Sequence, residues 1–314
     1  MYQSLAMYLL SLGLFAVGPA SEAGLRQEPA PDVEDPAPEV EDDEPGEVVV
    51  IYHENGKKAR EGRIWKGRRH GLWRGWHDNG ELAYEGRIEN YQRVGVWKTY
   101  YETGALRSAG DIQDGRPDGE WVTWYANGEK KSEGKYDWGL RTGPWTHYQT
   151  NGMKYSEGVF LEDYKDGPWV HYDFEGERLS SGIFRRGKKH GMWRRWHSKD
   201  QLMFEGSFNE DREDGAWTRW HENGQIEAKG TYFLGKEEGE WSAWYDTGQK
   251  QFEGSYENGK RTGFWTRWYA SGQKQTQGDY KNGKPHGRVT VWYRDGSVHA
   301  EESGEYVDGK RVRP

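Results

Sequence analysis

Glycine recurs at positions 71, 95, 119, 143, 167, 191, 215, 239, 263 and 287, each 24 residues after the one before. A fixed period of that length marks an array of small stacked units rather than one globular core. Two residues after each of the first nine glycines stands a tryptophan: Trp73, Trp97, Trp121, Trp145, Trp169, Trp193, Trp217, Trp241 and Trp265. Three residues further stands a second ring: Trp76, Tyr100, Trp124, Tyr148, Tyr172, Trp196, Trp220, Trp244, Trp268 or Trp292. The stretch "DGAWTRWHENG" at 214–224, with its histidine, glutamate and tryptophans, is therefore one copy among many.

A further glycine closes the first half of each unit, often as Asn-Gly: Asn55-Gly56, Asn79-Gly80, Asn127-Gly128, Asn151-Gly152 and Asn223-Gly224. Asn-Gly suits a type I′ hairpin turn, which predicts strand, tight turn, strand in every unit. The second half alternates with period two, Ile226, Ala228, Gly230 and Tyr232 on one face and Glu227, Lys229 and Thr231 on the other. The glycine in that row leaves room for a tryptophan of the adjacent strand to lie flat on the backbone. Trp217 and Trp220, three apart, fall on opposite faces unless a bulge intervenes, and the sequence leaves both arrangements open. A longer turn, Glu257 to Gly263, returns the chain to the next unit. No segment free of turn chemistry is long enough for a useful helix. The fold class is all-β: an elongated antiparallel β-meander of tandem hairpins, forming an open, twisted single sheet. Eleven units of two strands from Glu47 would span roughly 105 Å at about 4.8 Å per strand. Val49 and Val289 replace the leading tryptophan in the terminal units, and Gly296 to Gly304 is lengthened by two residues, as in capping units.

Composition agrees with this reading. Hydrophobic residues make up 33% of 314, yet there are 18 tryptophans, 20 tyrosines and 44 glycines. The chain divides into a predicted signal peptide (1–23), a disordered acidic, proline-rich linker (24–46) and the repeat array (47–314). The first rests on the apolar run "LAMYLLSLGLFAV" at 5–17 and the small residues of Ser21 to Ala23, with cleavage expected after Ala23. No Lys or Arg precedes the run, so a short membrane anchor or a misplaced start are the competing readings, although the run is short for a span. Gln27 to Glu47 holds ten carboxylates and no Lys or Arg. Residues 48–314 are nearly neutral, 41 acids against 43 bases, which does not suit nucleic acid. With no cysteine, disulfides, thiolate metal sites and lipid-anchor cysteines are excluded.

The units, written GxW-x-x-(W/Y)-x-x-x-G-x-x-x-x-E-G-x-(Y/F)-x-x-G-K-x-x, resemble the MORN-repeat variant family, which includes bacterial YwqK-like antitoxins. "RRGKKHGMW" at 185–193 and "KNGKPHGRV" at 281–289 also look like the core of ordinary MORN repeats. The resemblance covers about residues 47–310. It implies an elongated antiparallel sheet serving as a protein-binding or scaffolding surface, in some members neutralising a toxin, and it brings no catalytic residues. The chain departs from the pattern at Asp200, where the turn glycine is missing, and at Tyr91, Asp163 and Asp211, where the later turn loses its glycine.

A metal or hydrolytic centre needs converging ligands, but His53, His77, His197 and His221 are repeat equivalents about 10 Å apart at best. His70, His190 and His286 are repeat equivalents too, and no serine has a nucleophile-elbow context. No catalytic residue, metal site or cofactor is expected. The clusters Arg68-Arg69-His70 and Arg185 to His190 read as solvated turn charges before an acidic or lipid contact. The first-ring tryptophans, Trp73 to Trp265, read as packing. The candidate binding surface is the second ring with its neighbour: Trp76 with His77, Tyr100 with Tyr101, Trp124 with Tyr125, Trp196 with His197, Trp220 with His221, Trp244 with Tyr245 and Trp268 with Tyr269. The expected function is a non-enzymatic, exported scaffold for a protein partner. A cell-wall polymer and a neutralised toxin are the alternatives. A monomer is expected, with edge-to-edge association through the terminal strands left open.

Overall fold

The computed structural model describes residues 45–314. The predicted signal peptide, and the predicted linker as far as residue 44, lie outside the described residues. Twenty-three strands, from Glu47–Tyr52 to Lys310–Arg313, form one sheet. Each strand pairs antiparallel with the next in the chain, and the terminal strands do not pair with each other, so the sheet is open. The all-β meander of tandem hairpins expected from the glycine period is the fold observed. Two strands for each of eleven units would give twenty-two, and the short strand Lys310–Arg313 adds one. Among the described residues no helix is long and apolar enough to cross a membrane.

The turns correct the sequence reading. Type I′ geometry was expected at Asn-Gly in the middle of each unit, but there only the glycine has a positive φ, as at Gly224 (φ 85°). Gly224 N–H donates to the His221 carbonyl and His221 N–H to that of Gln225, at 2.9 Å each. This is the three-residue loop with a bulged glycine, in which Asn223 serves through its side chain: its Oδ1 accepts from Gln225 N–H at 3.1 Å. Positive φ at both central residues, the I′ signature, falls instead on the other turn. Asn258 (51°) and Gly259 (76°) join Glu257 directly to Lys260, so the turn expected over Glu257 to Gly263 is only two residues long. Tyr91, Asp163 and Asp211 hold the second position of this turn at φ near 68° although they are not glycine, and Asp200 likewise adopts 64°.

The leading glycines mark bulges. Between the strands Gln201–Asn209 and Arg212–Trp220, pairing runs Gly206 with Trp217 and then Phe208 with Glu213, which leaves Asp214 to Ala216 opposite Ser207. Gly215 absorbs that bend at φ 95°. A second irregularity precedes Trp220, but its extra residue, Glu227, lies on the following strand. Strand Arg212–Trp220 therefore keeps its alternation, and Trp217 and Trp220 point to opposite faces.

Candidate functional site

On one face, each leading tryptophan lies over the backbone of a glycine in the preceding strand. A Cβ built at Gly206 or Gly230 would fall inside the ring of Trp217 or Trp241, so no other residue fits there. Seven of the nine indole N–H groups also answer a carbonyl at the bulge, as when Trp217 Nε1 donates to Ser207 at 3.0 Å and Trp241 Nε1 to Thr231 at 3.0 Å, whereas Trp73 Nε1 is buried without a partner. The second-half rings stand edge-on between them. From Trp121 to Tyr280 the ladder is unbroken, including Phe208 with Trp217 (5.1 Å), Trp217 with Tyr232 (5.7 Å) and Tyr232 with Trp241 (4.9 Å). Eight of the nine tryptophans are buried on a sheet one layer thick, while Trp121 is half-buried. Cations from the same face close over them, as Arg69 does over Trp73 at 4.8 Å and Lys165 over Trp169 at 4.0 Å. At about 25 cal/mol per Å² and about 200 Å² per ring, each contributes about 5 kcal/mol before conformational entropy.

The second rings occupy the opposite face, half-buried. There Tyr148 OH donates to Glu133 Oε1 and Tyr172 OH to Glu157 Oε1, both at 2.5 Å. Burial first, and then those carboxylates, push both phenols up to about 12. Lys58 packs on Trp76 at 4.9 Å and Lys250 on Trp268 at 5.7 Å. The residues that follow the second rings have a different task, which their sequence did not disclose. His77 Nε2 donates to the Tyr100 carbonyl (3.1 Å), Tyr101 OH to that of Trp124 (2.8 Å) and Tyr125 OH to that of Tyr148 (2.9 Å). Farther along, His197 reaches Trp220, His221 reaches Trp244, Tyr245 reaches Trp268 and Tyr269 reaches Trp292, all at 2.9 Å. Each bond ties one repeat to the next. The candidate surface is thus two rows: Trp76, Tyr100, Trp124, Trp196, Trp220, Trp244 and Trp268 present ring surface, while the neighbours spend their polar tips on the backbone. The turn asparagines repeat the pattern, as when Asn79 Nδ2 donates to the Glu102 carbonyl.

Two histidines missed in the sequence lie among the tryptophans. His147 and His171 stack on Trp145 and Trp169 at 6.0 Å. His171 Nε2 accepts from Lys165 Nζ at 3.3 Å, and its Nδ1 faces Ser180 Oγ at 3.4 Å. Burial, and then Lys165, Lys189 and His147, push His171 down to about 4. Burial and then Arg141 push Lys165 down as well. The only signal was that both interrupt a row holding threonine at 99 and 123 and arginine at 195 and 219. Among the described residues no three His, Asp or Glu side chains converge as metal ligands.

The MORN repeat variant pattern matches residues 69–90, 93–113, 117–137, 213–233, 237–258 and 261–282. The chain carries MORN repeat variants. Its MORN matches skip residues 138–212, where the hairpins nonetheless continue in the same register. Among curated proteins none matches the chain. Solved structures that align with it include crystal structures of TcdB2-TccC3-TEV (11% identity, TM-score 0.18) and TcdB2-TccC3 (10% identity, TM-score 0.18). The alignments cover 83% and 84% of this chain but only 15% and 17% of those chains. Neither TM-score indicates a shared overall fold.

Proposed function

We propose that the chain is an exported, non-enzymatic scaffold of eleven repeats that docks a protein partner through the face opposite the buried tryptophans. MORN repeats generally mediate protein or membrane binding. The observation that carries the reading is an apolar patch in the central repeats. Leu140, Leu161, Tyr164, Ile183 and Met192 share that face, each 45–54% exposed. In other repeats the equivalent positions hold charge, as at Arg116, Lys188, Arg185 and Lys135. Exposed apolar clusters of this kind are rare on a charged surface except where something covers them. Export is carried by the apolar run at 5–17 and the small residues at 21–23.

The test is capture of partners by the full chain and by a Leu161→Lys, Ile183→Lys variant. A specific protein held by the first and lost by the second is expected, and equal capture by both sinks the reading. Fractionating cells with and without residues 1–23 checks export, which retention of the full chain in the cytoplasm overturns. The second reading, a cell-wall polymer, is favoured by the row of half-buried rings from Trp76 to Trp268. It requires sedimentation with purified walls that soluble sugar reverses. Neutralisation of a toxin, as in the YwqK-like antitoxins that the units resemble, requires a cytoplasmic chain.

A further inference from the structure

Of the cations packed over the tryptophan face, Arg141 has a carboxylate partner, whereas Lys165 has none and lies instead against a histidine. Arg141, Lys165 and Lys189 are equivalents in three consecutive repeats, each at the start of its strand and packed over rings. Arg141 is answered from the next turn: its Nε donates to Asp163 Oδ1 at 2.8 Å, and its backbone N–H to the same atom at 3.0 Å. The next turn of Lys189 carries Asp211, whose Oδ1 accepts from Lys189 N–H at 2.8 Å. Between them, the corresponding position for Lys165 is Gly187. Among the described residues no carboxylate lies within ion-pair distance of Lys165 Nζ. That ammonium sits 4.0 Å from the centroid of Trp169 and 5.1 Å from that of Phe184, and its one hydrogen-bond partner is the neutral ring of His171.

We propose that Lys165, with His171 beside it and Trp169 and Phe184 as its floor, is a receptor for a carboxylate brought by an acidic segment of a partner protein. The inference names chemistry for the protein-binding reading and rests on it, but on the other face of the sheet. Four observations converge. The ammonium is half-buried, so an anion placed on it is worth more than at a solvated lysine. Arg141 and Lys189 flank it at about 10 Å, two strand spacings away, and add attraction without occupying it. His171, held neutral by burial and by Lys165 and Lys189, gains a proton when an anion offsets them, which adds a second donor. The segment 138–212, unmatched by the family pattern, holds all four residues.

The test titrates the full chain with a hexa-aspartate peptide, with inorganic phosphate, and with phosphatidylserine vesicles. Heat of binding and the ring resonances of His171 are followed. The peptide is expected to bind and to raise the His171 pKa, and Lys165→Met is expected to weaken it about tenfold. Gly187→Asp supplies the carboxylate that Asp163 presents to Arg141 one repeat earlier. Asp tolerates the backbone there, since Gly187 has φ 82° and both Asp163 and Asp211 hold φ 68°. It should abolish peptide binding while leaving thermal stability unchanged or higher, which separates a lost site from a lost fold. Peptide affinity unchanged in both variants overturns the proposal. So does binding confined to phosphate or to vesicles. Loss of the apolar-patch partner in Leu161→Lys, Ile183→Lys with peptide binding intact would separate the two faces.

Discussion

His221 Nε2 lies 2.9 Å from the carbonyl oxygen of Trp244, one repeat further along the chain. The same carbonyl in the following repeat, that of Trp268, takes its bond from a tyrosine hydroxyl, Tyr245, at 2.9 Å. Histidine and tyrosine are interchangeable here because each ends in a donor at similar reach. Tyr245→Phe removes the donor and leaves a half-buried carbonyl, which should cost about 1 kcal/mol. His221→Tyr should be nearly neutral. Urea unfolding of the two variants checks the contrast.

Gly230 is set by the ring above it. Gly230→Ala drives a methyl into Trp241, and the expected loss is about 3 kcal/mol with a change in tryptophan fluorescence. Gly224→Ala, at φ 85° in a turn where the added methyl meets only the movable end of the Gln201 side chain, should lose only about 1 kcal/mol, the cost of the backbone conformation. Equal losses at the two positions would show that the close approach of Trp241 does not matter.

Tyr91 holds a left-handed conformation, φ 69°, at the second position of its I′ turn, where eight other turns place glycine. Tyr91→Gly relieves about 1 kcal/mol of strain but gives up the stacking of Arg68 on the ring, about 0.5 kcal/mol. A net gain of about 0.5 kcal/mol should appear as a raised thermal midpoint.

Histidine 171 makes stability depend on pH. Its folded pKa, about 4, lies below the ordinary value of 6.5, so between these the unfolded chain binds the extra proton. Stability is therefore complete above pH 6.5 and falls as the pH drops toward 4. Because the ring is partly open to solvent, the loss should be on the order of 1–2 kcal/mol. Denaturant midpoints measured across this window should flatten in His171→Gln.

What was legible in the sequence was whatever repeats locally. The spacing of Gly215 and Trp217, the alternation of Ile226, Ala228, Gly230 and Tyr232, and the asparagine turns disclosed hairpins, one sheet and the glycine beneath each tryptophan. The two turns were assigned the wrong way round. Asn-Gly is compatible with both geometries, and the choice depends on which residues pair: Glu257 with Lys260 in one, His221 with Gln225 in the other. The second ring's neighbour was read as surface because nothing around His221 in the sequence shows the carbonyl 23 residues away.

The sequence by itself determined the period, the faces of the second strand of each unit and the packing of tryptophan on glycine, since these follow from alternation and from the absence of a side chain. Only the tertiary structure decided which polar groups are consumed and which are left over. Asp163 answers Arg141 and Gly187 leaves Lys165 unanswered because residues 22 apart become neighbours only when the sheet stacks one repeat on the next. That stacking turns a histidine once read beside a glutamate into a tie between strands, and leaves a lysine over Trp169 without its charge partner.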